Sequence, residues 1–248
     1  MKIGFVSLGC PKNQVDAEIM LNRLKEAGFE ITGDAAKADA VIINTCGFIE
    51  DAKKEAIENI LELAELKKES NLKGLIVTGC LAERYKDEVI TEMPEIDAIV
   101  GIGANEDIVD VVNRVIDGEG GISKFADKDK LDMDSDRILA SPRYTAYLRI
   151  ADGCDNCCTY CAIPEIRGRM RSRTIEDCVK EAEKLASKGV TELIVVAQDT
   201  TAYGTDIYGE PKLAELLSAL CKIDGLHWIR TLYTYPDKIS DELLDTIA

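Results

Sequence analysis

The chain has little positive charge, one histidine and no long apolar run. Its 248 residues carry 30 Lys and Arg against 46 Asp and Glu, a formal net charge of −16. Phosphate backbones are bound mainly through Lys and Arg, so this deficit argues against a nucleic acid groove over these residues. No stretch approaches the roughly 20 apolar residues of a membrane-spanning helix. The opening MKIGFVSLGC holds one Lys and an apolar stretch too brief for a leader, and it reads on as a patterned strand. Nine cysteines without a leader are expected as reduced thiols in the cytosol, where ligation is favoured over disulfides. The single histidine, His227, leaves little for a Cys/His zinc site.

What is present is an alternation of short apolar strands with amphipathic helices. The pattern predicts strands over 2–8, 29–32, 40–44, 74–78 and 96–100, with helices over 15–26, 49–68, 82–91 and 106–116. Such a rhythm indicates an open parallel sheet covered on both faces. Residues 118–142 are glycine-rich and then alternate in charge, so they read as a linker that can include an edge strand. The rhythm then resumes, with strands over 145–150, 192–197 and 228–233 and helices over 175–187, 212–221 and from 240 onward. Three βα units do not close a barrel, so the second domain is expected to stop partway. The fold class expected is α/β, with domains over 1–117 and 143–248.

Six of the nine cysteines form two sets of three. Cys10, Cys46 and Cys80 end the apolar runs FVSLGC, VIINTC and LIVTGC. Each stands at the C-terminal end of a strand before a helix, the edge where open α/β sheets gather ligands. A helix N-terminus also favours the thiolate, the form that binds metal. The compact set, Cys154, Cys158 and Cys161, lies in GCDNCCTYC straight after a strand. Iron–sulfur clusters usually take four protein thiolates, so three per set leaves one iron open for chemistry. Buried structural thiols compete with this reading for the dispersed set. Zinc held by all four cysteines of the compact loop competes there, but adjacent Cys157 and Cys158 would have to turn to one metal. Cys157 is therefore expected to point elsewhere.

The C-x3-C-x2-C run after the first strand of a βα barrel resembles the radical S-adenosylmethionine superfamily. Combined with an N-terminal domain of three dispersed cysteines, it is similar to the methylthiotransferases. The motifs SLGCPKN, NTCGFI, CTYCAIP, RGRMRSR and AQDTTAYG resemble the RimO group, which modifies an aspartate of ribosomal protein S-twelve. The resemblance implies an N-terminal methylthiotransferase domain followed by the first half of a partial (β/α) barrel. It implies two 4Fe-4S clusters and S-adenosylmethionine as cofactors. Cys154, Cys158 and Cys161 would hold the cluster that reduces S-adenosylmethionine to a 5′-deoxyadenosyl radical, which takes hydrogen from the aspartate β-carbon. Cys10, Cys46 and Cys80 would hold the auxiliary cluster whose open iron presents sulfur, and a second S-adenosylmethionine would supply the methyl group. Tyr160 would lie against adenine, and Gln198 and Asp199 would contact S-adenosylmethionine, although Asp199 can equally cap a turn. A flavodoxin or ferredoxin donor, a cytoplasmic location, no membrane and no RNA contact through these domains complete the expectation. A tRNA methylthiotransferase acting on a modified adenosine and a non-catalytic iron–sulfur protein are the alternatives.

Remaining features read more plainly. Arg167, Arg169, Arg171 and Arg173 alternate, and in an extended segment they would share one face suited to a carboxylate or to solvent. Cys178 and Cys221 read as helix core thiols, and His227 and Trp228 as structural. Gly101-Ile-Gly103 hints at a nucleotide loop, but the GxGxxG pattern fails at Glu106.

Overall fold

A computed structural model describes residues 1–248, the side chains of Asp87 and Lys130 excepted. The chain forms two compact units, Met1–Ile138 and Leu139–Ala248.

The first unit follows the order β1 (Lys2–Ser7), α1 (Pro11–Glu26), β2 (Glu30–Thr32), β3 (Ala40–Thr45), α2 (Glu50–Glu69), β4 (Gly74–Gly79), α3 (Cys80–Glu92), β5 (Ala98–Val100), α4 (Ile108–Ile116) and β6 (Ile122–Lys124). The strands form one sheet ordered β2-β1-β3-β4-β5-β6, parallel throughout. Side chains alternate across a strand, and here the alternation separates two cores. Val41, Ile43, Leu75 and Val77 pack with Ala56, Ile60 and Leu63 of α2 and Leu81, Ala82 and Val89 of α3. Ala40, Ile42 and Ile76 pack instead with Met20 and Leu24 of α1 and Ile108, Val111, Val112 and Val115 of α4. Each fully buried aliphatic side chain contributes about 1.5–3 kcal/mol relative to exposure. This two-faced burial is why the strands read as unbroken apolar runs.

Residues 118–142, expected to join the domains, supply β6 at the sheet edge and a strap that lies along α1. Arg23 pairs with Asp132 at 2.6 Å, Arg137 pairs with the buried Glu18, and the Ile138 N–H donates to the Glu18 carbonyl at 3.2 Å. The first unit therefore runs to Ile138.

The second unit contains β7 (Thr145–Arg149), β8 (Ala151–Asp152), α5 (Ile163–Arg167), β9 (Arg171–Ser172), α6 (Ile175–Ser187), β10 (Glu192–Val196), α7 (Thr205–Tyr208), α8 (Leu213–Leu220), β11 (Trp228–Thr231) and α9 (Asp241–Ile247). Its main sheet is parallel, ordered β11-β10-β7, and β8 pairs antiparallel with β9. Ala146, Leu148, Leu193 and Val195 face one core with Cys178, Ala182 and Leu185 of α6, Leu213, Leu216 and Leu220 of α8 and Leu243 of α9. α6, α8 and α9 thus share one side of the sheet. Cys178 is a fully buried core thiol, whereas Cys221 caps α8 and is exposed, not buried as its helix position suggested.

Candidate metal centres

In the first unit, the three dispersed cysteines follow β1, β3 and β4, which are adjacent in the sheet. A right-handed parallel topology brings those C-terminal ends to one edge. Cys10 is the N-cap of α1 with extended φ/ψ of −90° and 171°, and Pro11 takes the first helical position, where its missing N–H costs nothing. Cys80 opens α3, two residues earlier than the apolar pattern indicated. Both thiols therefore sit at helix N-termini, where backbone N–H groups lack intrahelical partners. Cys46 and Cys80 are buried and Cys10 is half-buried.

Two glycines permit the convergence. Gly9 has φ +104°, and a Cβ there would stand 2.9 Å from Cys46 Cβ and 3.5 Å from Cys46 Sγ, so the turn from β1 into α1 passes directly beside Cys46. Gly79 has φ +94°, and its Cβ would collide with Asn44 Oδ1 and the Thr45 carbonyl. At the centre lies Asn13, whose Oδ1 accepts from Cys80 Sγ at 3.4 Å and from Cys10 Sγ at 3.8 Å. Its Nδ2 donates to the Thr45 carbonyl at 2.8 Å, next to Cys46. Among the described residues no three Cys, His, Asp or Glu side chains close on a point suited to a single metal ion. A cluster of several irons spreads its ligands more widely, and an all-thiol donor set suits iron–sulfur ligation.

In the second unit, the compact loop runs from β8 to α5. The Cys154 N–H donates to the Gly168 carbonyl at 3.2 Å, Cys158 N–H to Asn156 O at 2.9 Å, and Cys161 N–H to Cys158 O at 3.0 Å. The Asn156 N–H reaches Cys154 Sγ at 3.4 Å. Burial pushes the Cys154 thiol up, and that Asn156 N–H opposes it. Cys154, Cys158 and Cys161 are half-buried, while Cys157 is exposed, its thiol 3.7 Å from the Asp155 carbonyl.

Below the loop stands a polar network that the sequence pattern did not reveal. Lys238 Nζ donates to Asn156 Oδ1 and to Asp199 Oδ2, both at 2.8 Å, and Asn156 Nδ2 donates to Asp199 Oδ2 at 2.7 Å. Asp199 also caps the turn at Thr200–Ala202 through the Thr201 N–H. Burial acts to raise the Asp199 carboxyl, but the bonds from Lys238, Thr201 and Asn156 hold it below the usual range. Gln198 Nε2 donates to Asp152 Oδ1 at 2.6 Å, while its buried Oε1 has no hydrogen-bond partner. Such an orphaned acceptor beside the thiol loop suits a donor group of a bound cofactor. Tyr160 is 86% exposed, and the neighbouring Cys158 thiol raises its hydroxyl pKa.

The arginine run does not share a face. α5 stops at Arg167 and β9 holds only Arg171–Ser172, so no extended segment carries the alternation. Arg167 is buried in an ion pair with Asp152 at 3.0 Å. Burial would raise the Asp152 carboxyl, yet Arg167, Arg149 and the Gln198 bond hold it at about 2. Arg173 is buried against the Arg149 carbonyl at 2.9 Å and Glu181 at 2.5 Å. Arg171 bonds the Arg167 and Arg169 carbonyls, and Arg169 is exposed beside Asp155. In the first unit Gly101-Ile102-Gly103 leads into a 3-10 stretch, Ile102–Asp107, instead of directly into a helix.

Residues 2–101 match the model of the uncharacterized protein family UPF0004, and residues 148–248 match that of the Radical SAM superfamily. The chain is 52% identical to the ribosomal protein uS12 methylthiotransferase RimO of Clostridioides difficile, over 100% of this chain and 56% of that protein. It is 53% identical to the protein of the same name from Desulforamulus reducens, over 99% of this chain and 56% of the relative. The chain thus spans about 56% of the length of these curated relatives. Among solved structures it is similar to the radical S-adenosylmethionine methyltransferase TsrM from Kitasatospora setae, with TM-score 0.65 and 15% identity, over 99% of this chain and 57% of that one. That likeness bears on the fold alone.

Proposed function

We propose, for a chain that belongs to the radical S-adenosylmethionine methylthiotransferase family and within it to the RimO group, that it acts in methylthiolation of an aspartate β-carbon of ribosomal protein S-twelve. The observation that carries this reading is the gathering of Cys10, Cys46 and Cys80 at one sheet edge, in a chain that also bears the compact thiol loop. One triad alone would suit many radical enzymes, whereas the second suits a reaction that also needs a bound sulfur source. When bound, the clusters and S-adenosylmethionine supply the electron, the sulfur and the methyl group.

The chain's own residues hold and orient these groups. Cys154, Cys158 and Cys161 would ligate one 4Fe-4S cluster, with the exposed Cys157 standing off. Gln198 offers its orphaned Oε1 to S-adenosylmethionine, and the exposed ring of Tyr160 offers a face for adenine. Asp199, tied to Lys238 and Asn156, would contact S-adenosylmethionine beside Gln198. Cys10, Cys46 and Cys80 would ligate the auxiliary cluster. Residues 1–117 would serve as the auxiliary-cluster domain and 143–248 as the radical domain. A reduced flavodoxin or ferredoxin would supply electrons in the cytoplasm. No helix among the described residues is long and apolar enough to cross a membrane.

Anaerobic incubation of the reconstituted chain with S-adenosylmethionine, a strong reductant and either ribosomal protein S-twelve or unmodified tRNA tests the assignment. Mass spectrometry is expected to find a methylthio group on the aspartate peptide. Methylthio-adenosine in the tRNA digest would overturn the choice of substrate.

A further inference from the structure

Asn13 is the third residue of α1, one turn from the N-cap Cys10, so its side chain lies beside that thiol. It is fully buried, and a buried amide is costly unless each polar atom finds a partner. Its partners come from all three cysteine-bearing segments. Oδ1 accepts from Cys10 Sγ at 3.8 Å and from Cys80 Sγ at 3.4 Å. Nδ2 donates at 2.8 Å to the carbonyl of Thr45, which precedes Cys46, and at 3.4 Å to that of Leu8. Asn44 Nδ2 in turn donates to the Asn13 carbonyl at 2.7 Å, locking this turn of α1 to β3. A leucine of similar size would fill the space without the desolvation cost, so packing alone does not account for an amide here.

We infer that Asn13 is the positioning residue of the dispersed triad: its planar amide sets the spacing of Cys10, Cys46 and Cys80 while the thiols still carry their protons. Ligation removes those protons, and the Nδ2 bonds to the Leu8 and Thr45 carbonyls then keep the spacing, with Oδ1 against the cluster sulfurs. The inference rests on the auxiliary-cluster reading above. Groups that fix the segments bearing metal ligands slow loss of the metal, and polar groups around cluster sulfurs tune the reduction potential.

The test uses the chain carrying Cys154→Ala, Cys158→Ala and Cys161→Ala, so that any remaining cluster is the auxiliary one. Asn13→Ala and Asn13→Asp are compared with this parent for chelator-driven iron loss, electron paramagnetic resonance and reduction potential. Asn13→Ala is expected to lose iron about 10–100-fold faster, the usual cost of deleting a partner of a metal ligand. Asn13→Asp keeps the shape, and its carboxylate is expected to move the potential down, because added negative charge opposes an incoming electron. A role in folding alone would leave that potential where it is. If the loaded parent and both variants share one loss rate, spectrum and potential, the inference is overturned while the auxiliary cluster stands. A parent that takes up no iron overturns both.

Discussion

The Arg167 guanidinium lies 3.0 Å from the Asp152 carboxylate, with side chains 1% and 0% exposed. This pair ties the end of α5 to β8 just before Cys154, and so braces both ends of the compact thiol loop. Removing Arg167 leaves the buried Asp152 carboxylate with only the Gln198 bond and the nearby Arg149 charge to offset its burial. Arg167→Gln is expected to destabilise the protein by about 3–5 kcal/mol, read as a lower denaturant midpoint with an unchanged slope. A loss under about 1 kcal/mol, within the range of exposed pairs, would mean that the pair is solvated in solution.

Lys238 reaches the thiol loop across a long stretch of chain, bonding Asn156 and Asp199 at 2.8 Å. Lys238→Met keeps the apolar stem and deletes the charge. Iron bound by Cys154, Cys158 and Cys161 is expected to become about tenfold more labile to chelator, while iron on the dispersed triad keeps its rate. Equal loosening of both pools would contradict a local brace.

Cys157 and Cys158 are adjacent, yet one is exposed and the other half-buried. Cys157→Ala is expected to retain the full iron content and absorption spectrum. Cys158→Ala is expected to lose one cluster's worth of iron. Zinc tetrahedrally bound by all four thiols would make the two variants equally damaging.

Gly79 holds φ +94° where a Cβ would strike Asn44 Oδ1 and the Thr45 carbonyl. Gly79→Ala is expected to cost upward of about 1 kcal/mol, through left-handed strain plus the clash, and to reduce iron uptake at the dispersed triad. Thermal unfolding and iron titration of the same preparation check both effects.

The strand-end positions of Cys10, Cys46 and Cys80 are readable because each apolar run stops at Gly9, Thr45 or Gly79, directly before the cysteine. What one sequence could not supply is the lateral order of strands. That order places β1, β3 and β4 side by side and so brings Cys10, Cys46 and Cys80 together. Asn13 and Lys238 were missed for the same reason, since their partners are remote in sequence: Thr45 for Asn13 and Asn156 for Lys238. The arginine alternation would mark one face only where the backbone is extended, and here α5 ends within it. An edge strand was expected within 118–142 and β6 is one, but a three-residue strand behind Gly120 and Gly121 carries too little periodicity to fix its bounds.

Two clusters on two separate triads are expected in this one chain. Iron and acid-labile sulfide are to be counted after anaerobic reconstitution of the parent chain and of two variants, each with one triad replaced by alanine. The account predicts roughly eight irons for the parent and about four for each variant, from two four-iron clusters. A variant lacking Cys10, Cys46 and Cys80 that still bound as much iron as the parent would contradict it.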